Sequence, residues 1–213
     1  MLLGMAEPDP GPTALPVLPP RATSDGTHRR LLEEALERFG RNGYHGVSVR
    51  EIARAAGVQA SSLYSHLESK EHLLFELMMI GHDEHQHLLR EALLDAGNDP
   101  CDQIRALVRA HVLLHATYPM LARICNREME SLGPENRSKV EAVRTQSVQL
   151  FVDVIKRGRR LGVFDVTDPW LAAAAIGGMG IRIAEWWNPE LPYSVEDVVA
   201  AYCRFATRLL GAA

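Results

Sequence analysis

Two short histidine-rich stretches carry the side chains with the most obvious chemical potential. The run His82-Asp-Glu-His85-Gln-His87 places three imidazoles beside two carboxylates, all of which can bind a metal ion. On one helix, however, His82 and His87 point apart, and only His82 with His85 or Asp83 with His87 share a face. The run also lacks the H-E-x-x-H spacing of a zinc site. We therefore predict a solvated helix surface with one inward-facing histidine, His85, and no metal site.

His111 and His115 are spaced four residues apart on the apolar face of another predicted helix. Burying an unpaired polar group costs about 1–3 kcal/mol, so each imidazole needs a hydrogen-bond partner. Two interpretations stay open: histidines that are hydrogen-bonded inside the core, or histidines that line a pocket for a small molecule. Metal binding is the least favoured use of this pair. The apolar wall of such a pocket is predicted to include Tyr118, Met129, Phe151 and Met179, although these residue types also suit an ordinary core.

The sequence contains no pattern typical of an enzyme. No glycine-rich phosphate loop follows a strand, and no nucleophile elbow or inward-facing carboxylate pair is present. Gly177-Gly-Met-Gly180 lies inside a helical stretch, so it is not a nucleotide-binding fingerprint. We predict neither catalytic residues nor a cofactor.

Composition is that of an ordinary globular protein, with 46% hydrophobic and 23% charged residues. The net charge of −4 gives no general support for nucleic-acid binding. No run approaches the length of a transmembrane helix, so no membrane partner is predicted. Three cysteines cannot form a complete set of intrachain disulfides, which favours a reducing cytoplasm.

Two short helices around a glycine turn are predicted over residues 48–70. Ser48 and Glu51 have the spacing of a capping box, which starts the first helix at Val49. Gly57 can adopt the positive φ that ends a helix and turns the chain. Together with a preceding helix over about 28–42, this pattern predicts a helix-turn-helix head.

Helical patterns continue over about 70–96, 102–118, 119–133, 135–161, 170–187 and 194–210, and no segment alternates as a strand would. The predicted fold class is all-α, with an N-terminal three-helix head and a C-terminal helical body. Residues 1–23 are rich in proline and lack the features of a signal peptide. The predicted boundaries are a flexible extension over 1–23, the head over 24–69 and the body over 70–213.

The last two helical patterns are too apolar for a single buried face. Residues 171–181 leave no polar face over three turns, so this helix must be covered on all sides. Glycines within a helix cost about 1 kcal/mol each, which is reasonable where another helix approaches closely. We predict a C2 homodimer through a four-helix interface, the alternative being a monomer with both helices at its centre. The predicted interface residues are Gly177, Gly178, Gly180, Trp186, Val198, Tyr202 and Phe205.

The head resembles that of the TetR family of transcriptional regulators. The resemblance rests on Ser48-Val-Arg-Glu-Ile-Ala53, Ala56-Gly-Val58, Leu63-Tyr-Ser-His-Leu67 and Ser69-Lys-Glu71. It covers the head closely and the body only in the number and length of its helices. A weaker similarity, over Trp186–Ser194 and the following helix, is to the tail of regulators that control lipid, steroid or acyl-CoA metabolism.

This resemblance implies which residues contact DNA. Ser48, Tyr64, His66 and Lys70 match positions that bind the DNA backbone, and all four can donate hydrogen bonds to phosphate. The residues that match base-facing positions at the start of the second helix are Gln59, Ala60, Ser61, Ser62 and Ser65. Because none of these is Lys or Arg, bidentate arginine–guanine contacts from this helix are not available.

The resemblance therefore implies a ligand-responsive regulator, a repressor that leaves a pseudo-palindromic double-stranded operator when a small hydrophobic effector binds. The weaker similarity to the tail of such regulators favours a hydrophobic, acyl-CoA-like or lipid-like effector only slightly over other small molecules. The rival interpretation is an all-α lipid-binding protein, or an enzyme, whose head no longer binds DNA. The nearly neutral head favours this rival, whereas the presence of Tyr64, His66 and Lys70 argues against it.

Overall fold

The structure, a computed structural model, describes residues 18–23, 26–58 and 69–212. Over these residues it contains α-helices and one short 3₁₀ turn, and no β-strand. This agrees with the predicted all-α class. The stretch 59–68, where the second helix of the helix-turn-helix is predicted, lies outside the described residues. The helices are α1 (Gly26–Asn42), α2 (Val49–Ala55), α3 (Lys70–Asp95), α4 (Pro100–Thr117), α5 (Pro119–Arg127), α6 (Pro134–Arg160), α7 (Pro169–Ile181), α8 (Ile183–Trp186) and α9 (Val195–Leu209).

The first helix of the predicted helix-turn-helix begins at its capping box. The backbone N–H of Glu51 donates to Ser48 Oγ at 3.3 Å, and the Glu51 carboxylate accepts from the Ser48 N–H at 2.7 Å. These two bonds satisfy donors that the helix start would otherwise leave unpaired. At the other end Gly57 has a φ of 70°, as the turn requires.

The head shares its hydrophobic core with the body. Buried residues of α1 and α2, including Leu36 and Ile52, belong to one cluster with Leu77 of α3 and Leu121 of α5. A second cluster joins α4, α6, α7 and α9 around Leu107. Long α3 crosses from the first cluster to the second, so one rigid helix connects the head to the far end of the body.

The predicted helix over 170–187 is interrupted. Helix α7 ends at Ile181, and after Arg182 the chain makes only the single turn of α8. The three glycines just before the break lower the helix propensity of this region. Burial of Ile183 and Ala184 fixes the short turn instead.

The end of the proline-rich extension is packed rather than free. Leu18 is 2% exposed and belongs to the core cluster of the head. Arg29 of α1 donates to the carbonyl oxygens of Leu18 and Pro19 at 3.1 and 3.2 Å. The prediction of a flexible segment over 1–23 is therefore wrong for this part, while 1–17 lie outside the described residues.

Among the helices that the structure describes, none is long and apolar enough to cross a bilayer. Cys101, Cys125 and Cys203 are all free thiols.

Candidate effector cavity and DNA-binding head

The body contains a partly open cavity of about 390 Å³ between α3, α4, α5, α6 and α7. Its wall is mostly apolar and includes Leu114, Leu121, Val148, Phe151 and Trp170. The polar exceptions are concentrated on α3 and α4, where four imidazoles line the cavity: His82, His85, His111 and His115. A mainly apolar cavity with a few convergent polar groups is the usual form of a small-molecule site.

Two of these imidazoles, His85 and His111, are hydrogen-bonded to each other, and a third, His115, is hydrogen-bonded to the backbone of His111. His111 Nε2 lies 3.1 Å from the carbonyl oxygen of Gly177, and His111 Nδ1 lies 2.8 Å from His85 Nε2. A carbonyl oxygen only accepts, so neutral His111 carries its proton on Nε2 and accepts from His85 through Nδ1. In the same way His115 Nδ1 donates to the His111 carbonyl oxygen at 2.8 Å.

Burial keeps these imidazoles uncharged. It lowers the pKa of His111 to about 4, and burial together with the nearby His111 lowers the pKa of His115 to about 3. The pKa of His85 is also held well below its usual value by burial and by the neighbouring histidines. Because removing an imidazolium from water is costly, the cavity presents neutral rings at physiological pH.

His82 differs from the sequence prediction. We expected a solvated surface with only His85 inward, yet His82 is buried, 7% exposed, and its Nε2 has no partner among the described residues. Burial, with a smaller contribution from Arg144, lowers the pKa of His82 to about 4. The prediction failed because α3 is covered by both α4 and α6, which buries more than one face of the helix. His87 lies outside the cavity and contacts Glu91 at 3.2 Å.

Four of the six predicted ligand-binding residues line the cavity: His111, His115, Tyr118 and Phe151. Met129 and Met179 do not, so for these two the prediction is wrong. Met129 packs against the core cluster of the head, and Met179 packs against the second cluster. The wall also includes residues that were not predicted, which come from several elements: Pro19, Gly81, Asn126, Arg144 and Trp170. No periodicity within one helix could have found them.

Within the described residues, no group of three or more His, Cys, Asp or Glu side chains is arranged to hold a metal ion. Both nitrogens of His111 are already engaged in hydrogen bonds.

On the head, the structure describes only two of the predicted DNA-binding residues. Ser48 Oγ donates to the Glu51 carboxylate at 2.7 Å, so a contact with phosphate would replace this bond. At the start of α3, Lys70 Nζ lies 4.2 Å from the centre of the Tyr44 ring. Gln59, Ala60, Ser61, Ser62, Tyr64, Ser65 and His66 lie outside the described residues, and their DNA contacts stay predictions.

The predicted dimer surface divides into exposed and buried residues. A Cβ added at Gly177 or Gly178 would meet no atom within 4 Å, and Trp186 and Phe205 are 42% and 48% exposed. Tyr202 is partly buried. Two predictions are wrong: a Cβ at Gly180 would lie 2.0 Å from Cδ2 of His111, and Val198 is buried in the second cluster. Gly180 and Val198 therefore face their own chain.

An all-helical body with a ligand-sized cavity, joined to a capped helix and glycine turn, defines the architecture of a one-component regulator. Two family models match this chain. Residues 31–77 match "Bacterial regulatory proteins, tetR family", and residues 97–210 match "Tetracyclin repressor-like, C-terminal domain". The chain belongs to the TetR family of transcriptional regulators.

Individual relatives agree with this assignment. The chain is 28% identical over 180 residues to the HTH-type transcriptional repressor KstR2 of Rhodococcus jostii, covering 83% of this chain and 87% of KstR2. A TetR-family regulatory protein from Rhodococcus RHA1 superposes with a TM-score of 0.84 at 27% identity, covering 89% of this chain and all of its own. AibR, solved with isovaleryl coenzyme A and operator DNA, superposes with a TM-score of 0.78 at 26% identity. The match covers 88% of this chain and 100% of the AibR chain. The protein is a ligand-responsive, DNA-binding regulator of transcription.

Proposed function

We propose that the protein is a homodimeric repressor that leaves a pseudo-palindromic operator when a small, mainly apolar molecule fills the cavity. The observation that carries this proposal is the position of the cavity along α3. Lys70 begins this helix at the head, and His82 and His85 of the same helix line the cavity. Lys70 and His82 are about 18 Å apart along the helix axis at the usual rise per residue.

Contacts around the start of α3 support mechanical coupling. The Glu71 carboxylate accepts from the N–H of Gly133 at 2.9 Å and from the Asn136 amide at 3.0 Å, which joins α3 to the beginning of α6. These bonds lower the pKa of Glu71, so its carboxylate stays charged. An effector that displaces α3 relative to α6 would shift the population of head positions toward spacings that no longer fit two successive major grooves.

The apolar wall of the cavity supports a mainly apolar effector. Among the relatives, AibR binds isovaleryl coenzyme A, so an acyl-CoA or lipid-like compound is the first class to test for this chain. The protein acts by binding rather than by catalysis, and in the cytoplasm, where an operator is accessible.

The DNA-binding role is tested with Tyr64→Ala combined with Lys70→Ala. The double variant should bind duplex DNA flanking its own gene far more weakly, and the slope of log affinity against log salt should fall by about one for each Lys70–phosphate contact that is lost. Fluorescence anisotropy measures both quantities, and sedimentation confirms that the dimer persists. Lys139→Ala is the matched control, because Lys139 is exposed on α6 and pairs with Glu135. Equal DNA binding by the double variant and the wild type would refute the phosphate roles.

A second experiment separates the repressor from its rival. Selection of duplexes from a random pool should enrich a pseudo-palindrome if the protein is a repressor. A wild-type protein that enriches no sequence would favour the lipid-binding protein or enzyme.

A further inference from the structure

The polar end of the cavity offers hydrogen-bond acceptors that nothing in the described chain uses. His115 Nδ1–H donates a hydrogen bond to the carbonyl oxygen of His111, so the remaining hydrogen-bonding group of the ring is the lone pair of Nε2. His115 is 4% exposed and lines the cavity, and no described residue donates to Nε2. The fixed tautomer means that His115 can accept a hydrogen bond from a ligand but cannot donate one through this atom.

His82 provides a second, independent sign of a missing partner. Its Nε2 is buried without a hydrogen bond from any described residue, which costs about 1–3 kcal/mol unless another group binds there. His82 also lies near enough to His85 and His115 to contribute to the lowered pKa of each. The two incompletely satisfied imidazoles therefore belong to one polar end of one cavity.

Charge argues against an anionic ligand head at this end. Apart from the histidines, the described wall contains one acidic residue, Glu84, and one basic residue, Arg144. A nucleotide or pyrophosphate group is normally bound by several basic groups. A carboxylate would place lone pairs against the lone pair of His115 Nε2 unless a buried imidazole first took up a proton.

We propose that the effector is an apolar molecule with an uncharged hydroxyl group that donates to His115 Nε2 beside His82. The ligand class is thus a hydroxylated hydrocarbon, rather than a free acid or an acyl-CoA held by its charged end. This inference rests on the proposed function, because it assumes that the cavity is the effector site.

The test compares probes that share one hydrocarbon chain and differ in the head group: 1-decanol, decyl methyl ether, decanoate and decanoyl-CoA. Binding to the full chain at pH 7.5 is followed by tryptophan fluorescence, since Trp170 lines the cavity, and by thermal shift. We expect 1-decanol to bind about 5–10-fold more tightly than the ether, which lacks the donor. Decanoate and decanoyl-CoA should bind more weakly than the alcohol.

His115→Leu should remove the preference for alcohol over ether, and His115→Gln should restore part of it, because an amide oxygen can accept. Val148→Ala is the matched control. Val148 lines the apolar wall, so this change should weaken alcohol and ether equally and leave their ratio unchanged. Chemical unfolding of each variant shows that it remains folded.

Several outcomes would overturn the inference. These are tighter binding of decanoate or decanoyl-CoA, an alcohol preference that survives in His115→Leu, and no binding of any probe. Operator release, measured separately by anisotropy, distinguishes the two proposals. Release by decanoyl-CoA alone would keep the proposed function and refute the hydroxyl. If the alcohol preference depends on His115 but no bound ligand releases the protein from its operator, the hydroxyl contact is kept and the proposed function is refuted.

Discussion

At the scale of single residues, the four cavity histidines show how far spacing alone can predict a site. The spacing of His111 and His115 placed both on the apolar face of one helix, and both are buried there. The same reasoning failed for His82, because whether a helix has one buried face or two depends on how many neighbours pack against it. Met129 and Met179 failed for a similar reason, since the packing of distant elements places them against the core clusters beside the cavity.

The buried histidines should make stability depend on pH in a defined direction. An ordinary histidine titrates near 6.5, whereas burial holds the pKa of His82 and His111 at about 4 and of His115 at about 3. Below pH 6.5 the unfolded chain therefore binds more protons than the folded chain. The contribution of the neutral histidines to the free energy of unfolding is fully present above pH 6.5 and is lost as the pH falls. We expect the free energy of unfolding to drop by about 1.4 kcal/mol per pH unit for each histidine between pH 6 and 4.5.

Urea unfolding across this range measures the slope. His115→Leu should reduce the slope of the free energy of unfolding against pH by the contribution of one histidine. Ser147→Ala, a buried change on the same cavity wall without a titrating group, should leave it unaltered. An identical slope in His115→Leu would show that His115 is not held neutral by the fold.

At the scale of elements, helix ends were more predictable than helix packing. The starts at Val49, Lys70 and Val195 follow from caps at Ser48, Ser69 and Ser194, whose partners lie only three residues away. Such bonds are local, so the sequence alone specifies them. The packed segment around Leu18 depends on distant partners, and no local pattern indicated it. The break after α7 combines a local cause, the low helix propensity of three glycines, with the burial of Ile183 and Ala184 against other elements.

Arg29 should control the segment that contributes Pro19 to the cavity wall. Its guanidinium holds the carbonyl oxygens of Leu18 and Pro19, and Pro19 lines the cavity. In Arg29→Met this segment loses both bonds, and we expect 1-decanol to bind up to about tenfold more weakly by fluorescence titration. Arg30→Met is the matched control, because the Arg30 guanidinium donates to Thr27 within the same helix. Equal affinity in both variants would show that the segment does not shape the cavity.

At the scale of the whole molecule, one apolar surface remains uncovered. Trp170 and Leu171 at the start of α7 are 59% and 61% exposed, and Phe205 on α9 is 48% exposed. Large apolar side chains exposed to this extent on two neighbouring helices are typical of an interaction surface when they lie together. Gly178, which also borders the cavity, is exposed, and a Cβ added there would meet no atom within 4 Å.

Sedimentation can test this surface directly. Gly178→Leu and Phe205→Glu should each convert the dimer to monomers, because one fills the space needed for close helix approach and the other buries a charge. Leu94→Glu introduces the same charge at a residue that is 83% exposed on α3, and it should leave the dimer intact. A dimer that persists in Gly178→Leu would disprove close packing at the glycines.

The histidine wall has a further consequence for how such regulators diverge. The two family models match residues 31–77 and 97–210, so His82 and His85 fall in the stretch between them, and Pro19 precedes both. Part of the cavity wall thus belongs to neither matched module. After gene duplication, the two proteins could keep both matched modules, the same operator and the same dimer surface. They could still respond to different metabolites through substitutions in one turn of α3. Comparing paralogues over residues 81–85 together with the cavity residues of 97–210, His115 among them, should therefore sort them by inducer.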